Sequence, residues 1–344
     1  MQFDALFMTS SLKRVPSLAQ AAERLGFDGL WTAETAHNPF LPLTLAAAHT
    51  SRLSLGTAVA IAFPRSPMVT AQIAWDLADQ SDGRFILGLG TQIKAHVTTR
   101  FSSVWDSPAP RLREYILALR VIWDTFQTNA PLRFKGEFYT FTLMTPFFTP
   151  GPIKAPAIPI YIAGVNTHLC RLAGELCQGF HVHSFHTPRY LREVIIPNIE
   201  QGAASASRTR ADVRLNSAIF VVTGKDEQEI ENNKAPVKQQ IAFYGSTPSY
   251  QTVFELHGWQ NVGEALNLLS KQGRWADMAD LITDDILHEF AVVAPHDQLA
   301  RRVRERYAGL LDRIGYYHPF EPGVMDEVWQ DAVSVLSDKS SKPH

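Results

Sequence analysis

The chain alternates between short apolar runs of four to ten residues and longer segments in which apolar residues recur every three or four positions. The short runs predict buried strands, and the longer spacing predicts amphipathic helices. Strands are predicted at 3–8, 29–32, 54–59, 85–89, 160–163, 179–183, 213–222 and 290–294, and a helix follows each of them. Eight strand–helix pairs in succession predict a closed (βα)8 barrel, an α/β fold of the TIM-barrel type.

Two interruptions break this alternation. Residues 133–159 contain a short predicted hairpin and several prolines that exclude a regular helix, so a loop insertion is predicted after strand four. A second insertion is predicted around residues 244–260, near the seventh helix. We assign residues 1–335 to one domain and expect residues 336–344 to form a disordered tail.

Charge and hydropathy exclude several classes of partner. Lys and Arg total 32 against 34 Asp and Glu, so the chain has no excess of positive charge with which to bind nucleic acid or an anionic membrane. The first residues carry an acid, Asp4, where a signal peptide carries bases, and no apolar run reaches 18 residues. We therefore expect a soluble, cytoplasmic protein. Cys170 and Cys177 lie roughly 10 Å apart along one predicted helix, which favours packing over a disulfide.

Active sites of such barrels form at the carboxyl ends of the strands. The candidate residues at those ends are Glu34 and His37 after strand two, Ala58, Val59 and Arg65 after strand three, Gly90, Thr91 and Gln92 after strand four, Ala163, Gly164, Val165 and Asn166 after strand five, and His181, His183 and His186 around strand six.

Several of these groups allow both a chemical and a structural interpretation. The small residues of 163–166 lead into a helix, where backbone N–H groups can bind phosphate, although Asn166 can also simply cap that helix. Glu34 and His37 form a possible general acid–base pair, or a solvated acid and a loop histidine. Arg65 suits either an anion clamp or a surface ion pair. The sequence at 88–90 lacks the third glycine of a dinucleotide-binding motif.

His181 and His183 lie on the same side of a strand, because side chains alternate along it. With His186 they suggest a metal site, and hence a metal-dependent barrel hydrolase as one alternative. Few carboxylates follow the neighbouring strands, so further metal ligands are scarce. The same histidines can instead contact substrate or cofactor, or serve a structural role. Neither a serine-hydrolase elbow nor a phosphate-binding Walker loop occurs in the chain.

Several segments, in order from about residue 3 to about residue 310, together resemble the luciferase-like barrel oxidoreductases. This superfamily contains bacterial luciferase, flavin monooxygenases and enzymes that use the deazaflavin coenzyme F420. The matching segments are AAERLGFDGLW at 21–31, LGTAV at 55–59 with RSP at 65–67, GRFILGLG at 83–90, GEFY at 136–139, IPIYIAG at 158–164 and AGE at 173–175. The segments ETAHNPFLP at 34–42 and GFHVHSFH at 179–186 resemble an F420-dependent subgroup.

The resemblance implies an F420-dependent dehydrogenase or reductase, because deazaflavin reacts poorly with oxygen. It implies hydride transfer between C5 of the cofactor and a substrate carbon, with Glu34 or His37 carrying a proton and His181 and His183 facing the ring or the substrate. A non-prolyl cis peptide is implied between Ala58 and Val59, behind the ring. Cofactor contacts are implied for residues near the ring, the tail and the phosphate: Ala58, Val59, Arg65, Gly90, Thr91, Gln92, Ala163, Gly164, Val165 and Asn166. An FMN-dependent monooxygenase is the nearest alternative, and a homodimer is expected.

Overall fold

The computed structural model describes residues 1–8 and 11–337 and closes a barrel of eight parallel strands. The strands of the described chain are β1 (Gln2–Phe7), β2 (Gly29–Thr32), β3 (Ser54–Thr57), β4 (Ala60–Ile61), β5 (Phe85–Gly90), β6 (Phe134–Lys135), β7 (Thr140–Phe141), β8 (Ile160–Gly164), β9 (Gly179–Val182), β10 (Arg214–Gly224), β11 (Ala291–Pro295) and β12 (Arg313–Tyr316). The barrel order is β1, β2, β3, β5, β8, β9, β10 and β12, and β12 pairs with β1 to close it. The predicted fold class is confirmed.

Helices cover the outside of the barrel. Their bounds are α1 (Val15–Leu25), α2 (Phe40–His49), α3 (Pro67–Gln80), α4 (Pro108–Thr128), α5 (Thr167–Leu176), α6 (Pro188–Tyr190), α7 (Ile196–Ser205), α8 (Glu227–Gly245), α9 (Gln251–Leu256), α10 (Gln260–Lys271), α11 (Asp284–Phe290), α12 (His296–Tyr307) and α13 (Asp326–Leu336). None of the described helices is long and apolar enough to span a membrane. Cys170 and Cys177 are free and buried, as predicted.

The strand predicted at 290–294 exists as β11, but the prediction that it is the eighth barrel strand is wrong. β11 pairs with the last five residues of β10, whereas β12 lies between β10 and β1. The short run that forms β12 contains a charge, Arg313, and a glycine, which hid it from a search for apolar runs. Inside the barrel that charge is neutralised.

A buried ion pair fills the amino-terminal half of the barrel. Arg313 donates to both carboxylate oxygens of Asp4 at 2.7 and 2.8 Å, and the Trp31 indole N–H donates to the same carboxylate at 2.8 Å. Gly29 leaves room for this pair, because a Cβ there would lie 2.4 Å from the guanidinium. Burial of a charge is tolerated here because each partner satisfies the other.

Both insertions contain regular structure. β6 and β7 form the predicted hairpin, and the carboxylate of Glu114 accepts the backbone N–H groups of residues 137–139 beneath it. The region from 246 to 290 is mostly helical and carries α9, α10 and α11 instead of a loop. At the other end of the chain, Leu336 and Ser337 are buried against the fold, and the remainder of the predicted tail, 338–344, lies outside the described residues.

Candidate active site at the carboxyl ends of the barrel strands

The floor of the candidate site is built around a cis peptide bond. As predicted, the bond between Ala58 and Val59, directly after β3, is cis. Glycines of β5 lie beside it: a Cβ on Gly90 would come within 2.5 Å of the Val59 side chain, and one on Gly88 within 1.7 Å of the Thr57 carbonyl. Thr57 is fixed there, since its hydroxyl donates to the Gly88 carbonyl and accepts the Gly88 N–H. The glycines of β5 therefore pack tightly against the segment that carries the cis peptide, and Ala58 and Val59 themselves are partly exposed.

Glu34 and Arg65 bind each other beside this floor. The guanidinium of Arg65 donates to both carboxylate oxygens at 2.6 and 2.7 Å, and the backbone N–H of Ile61 donates to the same carboxylate at 2.7 Å. The side chains are 6% and 16% exposed. Arg65 also donates to the Ile61 carbonyl, so the pair ties β4 to the end of β2. The carboxylate of Glu34 and the guanidinium of Arg65 are therefore bound to each other and are little exposed to a ligand.

His37 lies apart from that pair, in the exposed stretch 35–38 that follows Glu34. It lines a cavity of about 210 Å³ with Phe7, Met8 and Thr32. Arg100 donates to the Thr35 carbonyl from the segment after β5, which joins two loops of the barrel mouth. Of the two predicted proton carriers, only His37 therefore has an exposed side chain.

The turn after β8 leads into α5, as predicted. The Asn166 side chain caps the helix by accepting the Leu169 N–H at 3.0 Å. The cap satisfies one of the first N–H groups, and in the described chain those of Thr167 and His168 have no partner in the helix. Gly164 is required for close packing, because a Cβ there would lie 2.6 Å from Leu169. Ala163 and Val165 are partly buried around the turn. The helix start can therefore accept an anion without competing with its own cap.

Gly90, Thr91 and Gln92 form the exit from β5. Gln92 has a left-handed backbone with φ 61°, and its side chain accepts the Ile93 N–H. Thr91 is buried. This turn directs the chain across the mouth between the cis peptide and the turn after β8.

His181 lies inside the barrel, on the predicted face. Its Nδ1 is 3.1 Å from the Asn216 side-chain amide, and its ring packs edge-on to Trp31 at 4.9 Å. Burial, assisted by the charge of Arg313 and opposed by the Thr57 backbone, lowers the pKa of His181 to about 3. Its Nε2 is buried and has no partner among the described residues. The imidazole is neutral and forms part of the floor beneath the mouth.

His183 lies two residues after His181 and directly follows β9. Its Nδ1 accepts the Phe185 N–H at 3.0 Å, which places its proton on Nε2. The ring centroid is 4.6 Å from those of both Tyr244 and Tyr250. Burial, and to a smaller extent His186, lowers the pKa of His183 to about 4. His183 is therefore a neutral hydrogen-bond donor at ordinary pH.

His186 contacts the backbone of His183 and the ring of Tyr307. Its Nδ1 pairs with the His183 carbonyl at 2.9 Å, and its ring packs near Tyr307. Burial lowers its pKa to about 4. Across residues 1–8 and 11–337, no group of three His, Cys, Asp or Glu side chains is arranged to hold a metal ion. The three histidines therefore do not supply the ligand set that the hydrolase alternative requires.

The sequence analysis missed the tyrosines of the mouth. Tyr317 follows β12 directly, and its hydroxyl is 2.5 Å from that of Tyr244. Assigning the eighth strand to 290–294 hid Tyr317, because the residue did not follow a predicted strand. Tyr244 and Tyr250 come from the second insertion, and no local signal reveals which insertion residues reach the mouth.

The family model for luciferase-like monooxygenases matches residues 2–313. The chain belongs to this family. The resemblance found in the sequence is thereby confirmed, and membership of this family makes the protein an oxidoreductase.

Relatives extend the comparison. An uncharacterized protein of Mycobacterium tuberculosis is 47% identical over 305 residues, which cover 89% of this chain and 90% of that one. A 5,10-methylenetetrahydromethanopterin reductase of Archaeoglobus fulgidus is 28% identical over 291 residues, 83% of each chain. Among solved structures, the coenzyme F420-dependent tetrahydromethanopterin reductase of Methanopyrus kandleri superposes with a TM-score of 0.78 at 20% identity, covering 98% of this chain and 97% of that one. This last similarity shows the fold.

Proposed function

We propose that this oxidoreductase transfers a hydride between coenzyme F420 and a small organic substrate. The observation that carries the proposal is the cis peptide at the end of β3, where Ala58 and Val59 are partly exposed and Gly90 packs so closely behind them that no larger side chain fits. A planar ring system can lie on such a floor. The kinship with a methylenetetrahydromethanopterin reductase, and the fold shared with an F420-dependent enzyme, support F420 as that ring system.

The residues present fit such a cofactor at three points. Ala58 and Val59 would contact the ring, Gly90, Thr91 and Gln92 the tail, and residues 163–166 with the start of α5 the phosphate. When bound, F420 supplies a carbon-centred hydride donor or acceptor.

The chain's own residues orient the reactants and handle the proton. Glu34 and Arg65 act as positioning residues, because their ion pair holds Ile61 and the cis peptide segment in place. His37 is the proton carrier, since its imidazole is exposed in the loop beside the floor. His183 presents a neutral N–H to the substrate side of the mouth.

An equilibrium titration followed by fluorescence tests the cofactor assignment, with F420 and FMN in parallel. We expect F420 to bind at least tenfold more tightly than FMN. Asn166→Asp keeps the helix cap but adds a negative charge at the start of α5, so it should weaken F420 binding; Asp226→Asn, at the cap of α8, is the matched control. A preference for FMN would move the protein to the monooxygenase branch of its family, the second candidate, which the family description itself favours. Binding of neither would remove both.

A further inference from the structure

One side of the barrel mouth is formed by aromatic rings, which we call the aromatic wall: His183, Phe220, Tyr244, Tyr250 and Tyr317. His183 and Tyr317 directly follow β9 and β12, Phe220 lies within β10, and the other two come from the second insertion. His183 contacts Tyr244 and Tyr250, Tyr244 contacts Tyr317 at 6.3 Å, and Phe220 contacts Tyr317 at 4.9 Å. All but Phe220 are partly exposed, so the wall has a surface that a ligand can reach.

The polar atoms of the aromatic wall are hydrogen-bond donors. Because Nδ1 of His183 accepts the Phe185 N–H, Nε2 carries the hydrogen and is the ring atom that can donate to a ligand. The hydroxyls of Tyr244 and Tyr317 are hydrogen-bonded to each other. One of them donates, and the accepting hydroxyl keeps its own hydrogen for a further partner.

His183, Tyr244 and Tyr250 are uncharged at neutral pH. Burial lowers the pKa of His183 to about 4 and raises the pKa of both Tyr244 and Tyr250. A carboxylate or phosphate pressed against the wall would lose its hydration without gaining an opposite charge. A neutral molecule with an apolar body and an acceptor oxygen would satisfy both the rings and the donors.

We propose that the aromatic wall binds an uncharged carbonyl compound with an apolar or aromatic body, whose oxygen accepts the Nε2 hydrogen of His183. The inference rests on the proposed function, which supplies the hydride. In the reduction, the hydride forms a C–H bond at the carbonyl carbon as the C=O π pair moves to oxygen, and the oxygen takes one proton from His37, which regains it from water. The substrate gains two electrons and becomes an alcohol, and the cofactor is oxidised by the same two electrons.

Three matched probes separate charge from hydrogen bonding: acetophenone, 4-acetylbenzoate, which adds a carboxylate, and ethylbenzene, which lacks the oxygen. Their affinities are measured by ligand-observed NMR on the full chain, alone and with oxidised F420. We expect acetophenone to bind at least tenfold more tightly than 4-acetylbenzoate. His183→Phe keeps a ring but removes the N–H, so it should weaken acetophenone about fivefold, the effect of one neutral hydrogen bond, and leave ethylbenzene unchanged.

The exposed helix residue His288 supplies the control, since His288→Phe makes the same exchange away from the wall and should change neither affinity. Equal or tighter binding of 4-acetylbenzoate would overturn the proposal, as would no saturation by acetophenone or an equal loss for both neutral probes in His183→Phe. If the acetophenone pattern holds but F420 does not bind, the cofactor assignment falls and the wall stands. If F420 binds but the pattern fails, the reverse is true.

Discussion

The ion pair of Glu34 and Arg65 gives the sharpest test of the site, because two roles for Glu34 predict different results. As a positioning residue it contributes to stability through Arg65; as a proton carrier it would contribute to turnover alone. Glu34→Gln keeps the shape but leaves the guanidinium, 16% exposed, without its counter-charge. Removing one partner of a fully buried pair costs about 3–5 kcal/mol, and the residual exposure of Arg65 places this variant near 3 kcal/mol.

That loss is measurable by thermal unfolding followed by circular dichroism. An unfolding entropy of about 2.1 cal/mol/K per residue over a chain of 344 residues converts 3 kcal/mol into a decrease of about 4 °C in the midpoint. Arg65→Gln should lower the midpoint similarly, and the double variant should lower it by much less than the sum of the two single losses. Glu175→Gln breaks the exposed pair with Arg113 and serves as control, with a shift below about 1 °C.

The reasoning is refuted if Glu34→Gln leaves the midpoint unchanged while turnover falls by the roughly 10²–10⁴-fold expected for loss of a general acid. Cofactor affinity measured on the same variants adds a second readout. Both single variants should weaken F420 binding together, because both release the segment that carries the cis peptide.

Three further predictions follow from named residues. Below pH 6.5 the unfolded chain protonates three histidines that the native state keeps neutral, down to about pH 4 for His183 and His186 and about pH 3 for His181. The free energy of unfolding should therefore decrease as the pH is lowered through that window, by up to about 1.4 kcal/mol per pH unit for each histidine. Denaturant titrations at several pH values measure the slope, and a flat profile would contradict the burial of these rings. Gly88→Ala places a methyl group 1.7 Å from a backbone oxygen of β3, so it should reduce soluble yield and cofactor binding. Gly309→Ala is the control, because this surface turn has open space around the Cβ and the variant should cost only the strain of its φ of 74°. Equal yield and equal cofactor binding for the two variants would argue against tight packing at Gly88. His37→Gln should lower turnover at least tenfold and leave the unfolding midpoint unchanged, because the imidazole is exposed; unaltered turnover would remove His37 as proton carrier.

The fold could be predicted because a parallel barrel imposes a strong pattern. Strands buried on both faces are nearly all apolar, so β2 and β5 are recognisable from composition alone. β12 was missed for a physical reason: Arg313 is inside the barrel only because Asp4, far away in sequence, neutralises it. Pairing between distant residues leaves no local trace.

The same limit applies to the candidate site. The ends of strands locate Glu34, His183 and Asn166, because topology brings all strand ends to one mouth. The hydrogen-bond and ion-pair partners of these residues cannot be predicted from strand ends. Whether Glu34 carries a proton or pairs with Arg65 depends on the course of the chain between β3 and α3, and the tyrosines of the aromatic wall reach the mouth from an insertion whose path no periodicity describes.

A crystal structure of the protein with F420 tests the central claim most directly. The account predicts the deazaflavin ring against the cis peptide of Ala58 and Val59, the phosphate at the N–H groups of Thr167 and His168, and the aromatic wall facing the open side of the ring. A ring bound elsewhere, or a phosphate held away from the start of α5, would contradict it.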